Sequence, residues 1–420
     1  MLGSRFQRTR SMDDLNHAVK VVDMAVKSTP EDHPERAGWL NDLGIWLGAR
    51  FEQTRSMDDL NRAIEVAGIA VNSTPEDHPD RADWLSNLGT WLSMRFAQIR
   101  SMDDLNRAIE VVGIAMKSTP EDHPDRSRRL SNLGTWLSTR FEWTRSMDDL
   151  NSAVKVTDMA VNMTSENHPD RARQLSNLGI LLNTRSERTG SIDDLNRAVK
   201  VAGMAVDSTP EDDLDRASLL NNLGNRLGRR FERLGSMDDL DRAVEVVDMA
   251  VNSTPEDHPD RAHRLSNLGN RLGRRFERTG LMDDLNHAVE FVDMAVKSTP
   301  EDHPNRAGWL NDLGTWLGTR FERTGSIENL NHAVEVAGIA VNSTPEDHPD
   351  RARRLENLGT WLGRRFERTG SIDDLNRAVE VTNMAVNATP EDHLRPSRFA
   401  EQPWYLAWYA IQAHGFSGRP

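Results

Sequence analysis

Seven histidines, His33, His78, His123, His168, His258, His303 and His348, each precede a proline in copies of the stretch STPEDHPDRA, at separations that are multiples of 45 residues. Imidazole beside carboxylates is a donor set for a divalent metal. No second histidine follows at i+3 or i+4, however, and Asp213-Leu214 replaces His-Pro in one copy. The reading that remains is a turn or cap residue, and no metal or cofactor is expected. Catalysis needs a singular constellation, such as a nucleophile with its base or paired carboxylates in a cleft. None stands out from the repeats, and the glycines form neither a G-x-G-x-x-G nor a G-x-x-x-x-G-K-[ST] phosphate loop. A non-enzymatic chain is expected.

A motif needed once would not be spelled so often, whereas a joint is needed at every joint. In register at 45 residues the chain shows eight full units, beginning at Pro34, Pro79, Pro124, Pro169, Leu214, Pro259, Pro304 and Pro349. Such a period signals a repeat architecture. In the first full unit, Ala37, Leu40, Leu43, Leu47 and Phe51 recur every three or four residues and predict one amphipathic helix, A. Leu60, Ala63, Ile64, Ala67, Ala70 and Val71 predict a second, B.

Ser56-Met57-Asp58-Asp59 has the form of a capping box that starts helix B, with Asp in place of Glu. Gly190 and its four counterparts supply the left-handed residue that ends helix A. Pro34 and its equivalents suit the first turn of helix A. STPEDHPDRA is then the connector from B to the next A. Gly44, Gly89, Gly134, Gly179, Gly224, Gly269, Gly314 and Gly359 sit mid-helix. Each costs about 1 kcal/mol relative to Ala, so close approach of helix B must compensate.

The formal charge of −14 leaves no basic block for phosphates, so neither nucleic acid nor an anionic membrane surface is an expected partner. The chain has no cysteine, its opening residues MLGSRFQRTR lack a signal-peptide core, and the apolar run WYLAWYAI is too short to span a bilayer. A cytoplasmic location is expected.

Leu40-x-x-Leu43-Gly44-x-x-Leu47, followed by Ala63, Ala70 and Pro75, resembles the tetratricopeptide repeat (TPR), with Leu at its usual first and last aromatic positions. The DHP-x-RA and L-x-NLG wording is similar to the long kinesin-light-chain type. RFERTG-S-x-DDL resembles the arrays of fungal proteins that carry CHAT or NACHT domains. The resemblance spans residues 1 to about 393. It implies an all-α, right-handed α-solenoid of about eight 45-residue repeats, with a groove lined mainly by helix A. Residues 1–33 would be a partial first unit, with Met1 inside a truncated helix A. Residues 394–420 form a non-repeat tail that reads either as a cap or as sequence foreign to the fold.

By analogy with TPR grooves, one polar column precedes each Leu-Gly pair: Asp42, Asn87, Asn132, Asn177, Asn222, Asn267, Asp312 and Asn357. A carboxamide offers a donor and an acceptor to an extended peptide backbone. The alternative is bonding within the repeats. A second column follows the glycine and includes Thr90, Thr135, Asn225, Asn270, Thr315 and Thr360. A third, Gly38, Asp83, Arg128, Arg173, Ser218, His263, Gly308 and Arg353, varies as a specificity surface or as a solvated face would.

Trp46, Trp91, Trp136, Trp316 and Trp361 share one column, with Trp39, Trp84 and Trp309 seven residues before three of its members. Packing between successive A helices is the favoured reading over an aromatic platform. Arg226 and Arg271 replace the ring in two units and form a local basic patch. Arg36 and Arg50, with Asp58-Asp59, predict interhelix ion pairs. The expected function is a scaffold binding a protein or peptide in the groove, and the resemblance suggests the sensor array of a fungal signalling protein. The alternative is a structural module that self-associates through the solenoid ends.

Overall fold

The computed structural model describes residues 11–388, so the expectations for Met1 and the tail at 394–420 lie outside the described residues. The described chain is all-α, seventeen helices with no strand among these residues. It divides into two compact units, residues 1–210 and 211–420.

Unit 1 contains α1 (Met12–Ser28), α2 (Arg36–Thr54), α3 (Met57–Asn72), α4 (Arg81–Ile99), α5 (Met102–Ser118), α6 (Arg126–Thr144), α7 (Met147–Met163), α8 (Arg171–Thr189) and α9 (Ile192–Asp207). Unit 2 contains α10 (Arg216–Leu234), α11 (Met237–Asn252), α12 (Arg261–Thr279), α13 (Met282–Lys297), α14 (Arg306–Thr324), α15 (Ile327–Asn342), α16 (Arg351–Thr369) and α17 (Ile372–Asn387). Even-numbered helices are the predicted A helices and odd-numbered ones the B helices. Within each unit, every A packs on the B that follows it, and every B on the next A. Successive A helices also touch one another, a contact that successive B helices do not match, so the A helices line the narrower side of each α-solenoid stack.

The predicted apolar stripes form the core: Leu40, Leu43, Leu47 and Phe51 of α2 and Leu60, Ala63, Ala67 and Ala70 of α3 are all buried. Helix B starts as predicted. Ser56 Oγ accepts the Asp59 N–H at 3.4 Å, and Ser101, Ser146, Ser191, Ser236 and Ser371 repeat the bond. Gly190, Gly235, Gly280, Gly325 and Gly370 end their A helices at φ 71–74°, and Arg55, Arg100 and Arg145 adopt the same left-handed conformation at φ 57–59°.

The connector needs one correction. Pro34 lies two residues before helix A, not within its first turn, because the Arg36 N–H is taken by the His33 carbonyl in a separate tight turn. The histidine is the cap of that turn: His78 Nδ1 accepts the Asp80 N–H at 3.2 Å, and His33, His123, His168, His258, His303 and His348 act alike. Where histidine is missing, Asp213 Oδ1 accepts the Asp215 N–H at 2.8 Å. The exchange of His for Asp follows from this shared acceptor role.

The predicted ion-pair ladder belongs to one arginine column only. Arg50 donates through Nε and Nη2 to both oxygens of Asp59 at 2.8 and 2.5 Å, tying helix A to helix B. Arg95, Arg140, Arg185, Arg230, Arg275 and Arg365 do the same. A further donor reaches the preceding B helix, as Arg95 Nη1 does to Asn61 at 3.1 Å. The Arg36 column works differently. Arg81 Nη1 donates to the carbonyls of Val71, at 2.6 Å, and Thr74, closing the end of the preceding helix B.

The mid-helix glycines meet helix B as expected, but not equally. A Cβ on Gly269 would stand 2.6 Å from Val292 Cγ2 and 2.9 Å from the Ala288 carbonyl oxygen, whereas one on Gly314 would meet Ala333 O and Val336 Cγ2 at 3.4 Å. Gly314→Ala is therefore expected to be neutral or to raise stability by up to about 1 kcal/mol through helix propensity. Gly269→Ala forces the helices apart and lowers stability by at least about 1 kcal/mol. Thermal unfolding of the two variants checks the opposite signs.

Candidate functional site

The carboxamide column predicted for binding splits into two groups. Asn87 Nδ2 donates to Asn41 Oδ1 at 2.9 Å, and Asn267 to Asn221 and Asn357 to Asn311 at the same distance. These bonds join neighbouring A helices, not atoms of one repeat. Asn132, Asn177 and Asn222 are half-buried and have no side-chain hydrogen bond among the described residues. For Asn132 and Asn177 the difference has a local cause: the residue that would receive the bond is Asn at 41, 221 and 311 but Ser at 86 and 131. A serine side chain is too short to reach across.

In the second column, Thr90, Thr135, Thr315 and Thr360 each donate to the carbonyl four residues back in their own helix at 2.9–3.0 Å. Their oxygens retain acceptor capacity. Asn225 is half-buried. Asn270 is fully engaged, donating to Asp312 Oδ2 at 2.8 Å and accepting the Trp316 indole N–H at 3.0 Å.

The tryptophans pack between A helices. Trp91, Trp316 and Trp361 lie over Gly48, Gly273 and Gly318 of the preceding helix so tightly that a Cβ there would overlap the ring, and Trp136 covers Gly89 at 2.9 Å. Trp39, Trp84 and Trp309 instead stack on the connector histidines His33, His78 and His303, with centroids 5.1–5.4 Å apart. The glycine column at 48, 228, 273 and 318 is a functional part of this packing that the sequence reading missed. Its signal was present, since a glycine four residues after the mid-helix glycine comes before Trp91, Arg271, Trp316 and Trp361, with Ser93 the exception before Trp136.

The arginines that replace two of these rings are not an open basic patch. Arg271 is packed against Gly228 and lies 3.5 Å from Glu232. Arg226 is buried and donates to the Asn222 carbonyl at 2.6 Å. Burial first, and then the like charge of Arg229, pushes its guanidinium down to about 10. It remains a cation at neutral pH.

Leu181 occupies the tryptophan position in α8. Beside it lies a cavity of about 220 Å³ lined from α6 by Gly134, Thr135, Ser138 and Glu142, from α7 by Thr157, and from α8 by Asn177. It brings the predicted residues Thr135 and Asn177 together. No group of three or more His, Asp or Glu side chains among the described residues could hold a metal ion. None of the described helices is long and apolar enough to cross a membrane.

A family model described as tetratricopeptide repeat matches α10, α11 and the following connector. Residues 216–260 are a tetratricopeptide repeat. The remaining full units repeat the sequence pattern of this segment at the same spacing. Similar solved structures include YrrB, titled a TPR protein with an unusual peptide-binding site, at 16% identity over 56% of this chain and 98% of that one, with a TM-score of 0.37. The C-terminal part of a TPR protein from Cytophaga hutchinsonii is 10% identical over 72% and 99% of the two chains, with a TM-score of 0.48. TPR-like repeats of a Podospora anserina kinesin light chain are 18% identical over 54% and 99%, with a TM-score of 0.38. No curated protein matches the chain in sequence.

Within this array of repeats, Asp312 is a charged member of the carboxamide column. Burial raises its carboxyl above the ordinary carboxylate value, opposed by the hydrogen bond from Asn270 and by the charges of Arg353 and Arg274. A raised pKa means that the folded state holds the proton more tightly than the unfolded chain, so this group's cost is present at neutral pH and is relieved as pH falls through its folded value. Asp312→Asn keeps an acceptor for Asn270 and removes the buried charge. Its unfolding midpoint is expected to exceed that of the parent at pH 7, with the difference shrinking on acidification. Paired melts at neutral and acid pH test this.

Proposed function

We propose that the chain is a non-catalytic protein-interaction scaffold that holds an extended peptide or protein segment along the face lined by its A helices. One observation carries the reading: Asn132 and Asn177 are half-buried on adjacent A helices, with donor and acceptor uncommitted, in a column whose other carboxamides are largely paired. Buried polar groups are almost always hydrogen-bonded, and half-buried ones aligned at the repeat spacing suit a backbone that supplies N–H and C=O in turn. The repeated residues support the non-catalytic part, since the connector histidine, the two arginine columns and the glycines each have a structural task. The finer role suggested by resemblance to fungal CHAT- and NACHT-associated arrays is that of a sensor segment within a signalling protein.

Selection of binders from a displayed peptide library, followed by affinity measurement on variants, tests the clamp. Each of Asn132→Ala and Asn177→Ala is expected to weaken a selected peptide about fivefold, the equivalent of one net hydrogen bond of roughly 1 kcal/mol. Asn87→Ala, which removes an inter-helix bond, is expected to lower the melting temperature instead. Peptides whose affinity is untouched by both the Asn132 and Asn177 substitutions would rule out the clamp.

A further inference from the structure

The cavity beside Leu181 occurs where the repeat departs from its own packing rule. In four described places the next A helix lays a tryptophan ring on the small residues of the one before it, with Trp91 over Gly48, Trp136 over Gly89, Trp316 over Gly273 and Trp361 over Gly318. At the next position after Trp136 the small residues are kept, as Gly134 and Ser138, but the ring is replaced by Leu181. The notch that the other repeats fill from within is left as a cavity of about 220 Å³, floored by the buried Thr157 and opening beside the exposed Thr135 and Ile180. That is room for one ring and less than the roughly 300–1,000 Å³ of sites for drug-sized ligands.

We propose that this cavity receives an aromatic side chain of the bound peptide, standing where the other repeats place their own tryptophan. The shape argument is internal to the molecule, since a tryptophan of the next A helix covers small residues at this level four times, three times over Gly48, Gly273 and Gly318 and once over Gly89. The unit that carries Ser93 in place of this glycine is still followed by Trp136, whose ring lies over Gly89, so a serine at this register is compatible with a ring. Charge narrows the carrier. Glu142 is the one charged side chain that lines the cavity, and it is exposed at the rim. A ring followed by a basic group fits that edge, and a ring followed by a carboxylate does not. The proposal deepens the peptide-clamp reading and rests on it only for the identity of the molecule that carries the ring.

Small indoles isolate the cavity from the clamp. Tryptamine titrated into the full chain and followed by amide NMR is expected to bind in the millimolar range, to shift signals of Ser138 and Leu181, and to bind at least threefold tighter than indole-3-acetate. Leu181→Trp supplies the missing ring and is expected to abolish tryptamine binding, whereas Asn132→Ala is expected to leave it unchanged. Wild-type shifts confined to other repeats, equal affinity for the two indoles, or tryptamine binding retained in folded Leu181→Trp would overturn the proposal. The wild-type shift map decides the matter even if Leu181→Trp does not fold. Loss of peptide binding in Asn132→Ala with tryptamine binding absent from the wild type would reject the cavity and keep the clamp.

Discussion

The closeness of helix A to the helix B that follows it is the constraint from which the rest of each unit follows. A glycine at the crossing lets the Ala288 carbonyl and Val292 approach within a distance that no β-carbon could share. The propensity cost of such a glycine, about 1 kcal/mol, is met by packing. Where the approach is this close, as at Gly269, the pair has little freedom in separation, whereas at Gly44 and Gly314 a Cβ would meet helix B only at 3.4 Å. The notch one turn further along then receives the next helix at a defined height, and the repeat can propagate within a unit without accumulating error.

Polar groups fix what apolar packing leaves free. The Arg50–Asp59 fork bridges A to B, and its third donor reaches back to the previous B helix, so one guanidinium sets both the internal angle of a pair and the stagger to its neighbour. Hydrogen bonding to Asp59 raises the Arg50 guanidinium above its ordinary range. In the seventh unit Arg320 sends both Nε and Nη2 to the single Oδ1 of the neutral Asn329, at 3.1 and 2.7 Å, and there burial lowers its pKa. Survival of the contact without the opposite charge assigns it chiefly to orientation, in keeping with the modest net worth of part-exposed ion pairs.

The all-α class, the helix pairs, the serine caps and the turn role of the connector histidine were legible in the sequence because each rests on local spacing of three, four or 45 residues. Pro34 was misplaced by two residues because the turn at His33–Arg36 mimics a helix start, and boundaries are set by hydrogen bonds that spacing does not reveal. The split of the asparagine column was not legible from that column alone. It depends on whether residue 41, 86 or 131 of the previous repeat is Asn or Ser, which becomes a contact only when two A helices lie side by side. The buried position of Arg226 and the half-buried one of Arg271 were hidden for a related reason. A charged residue in a basic-looking run gives no local sign that a neighbouring helix will cover it.

Repetition therefore does two things to a sequence of this kind. It makes the frame easy to read, since every structural residue is stated many times, and it makes each departure from the frame interpretable against intact copies in the same molecule. Replacement of His by Asp at 213 preserves the acceptor and so changes nothing in the turn. Replacement of Asp by Asn at 329 preserves the bridge. Replacement of Trp by Leu at 181 preserves neither the volume nor the contact, while Gly134 is kept and residue 138 is a serine, as residue 93 is in the unit before Trp136. A substitution that leaves such a gap in an otherwise close-packed stack loses dispersion contacts on every wall of the cavity, and the gap is where a ligand can recover them.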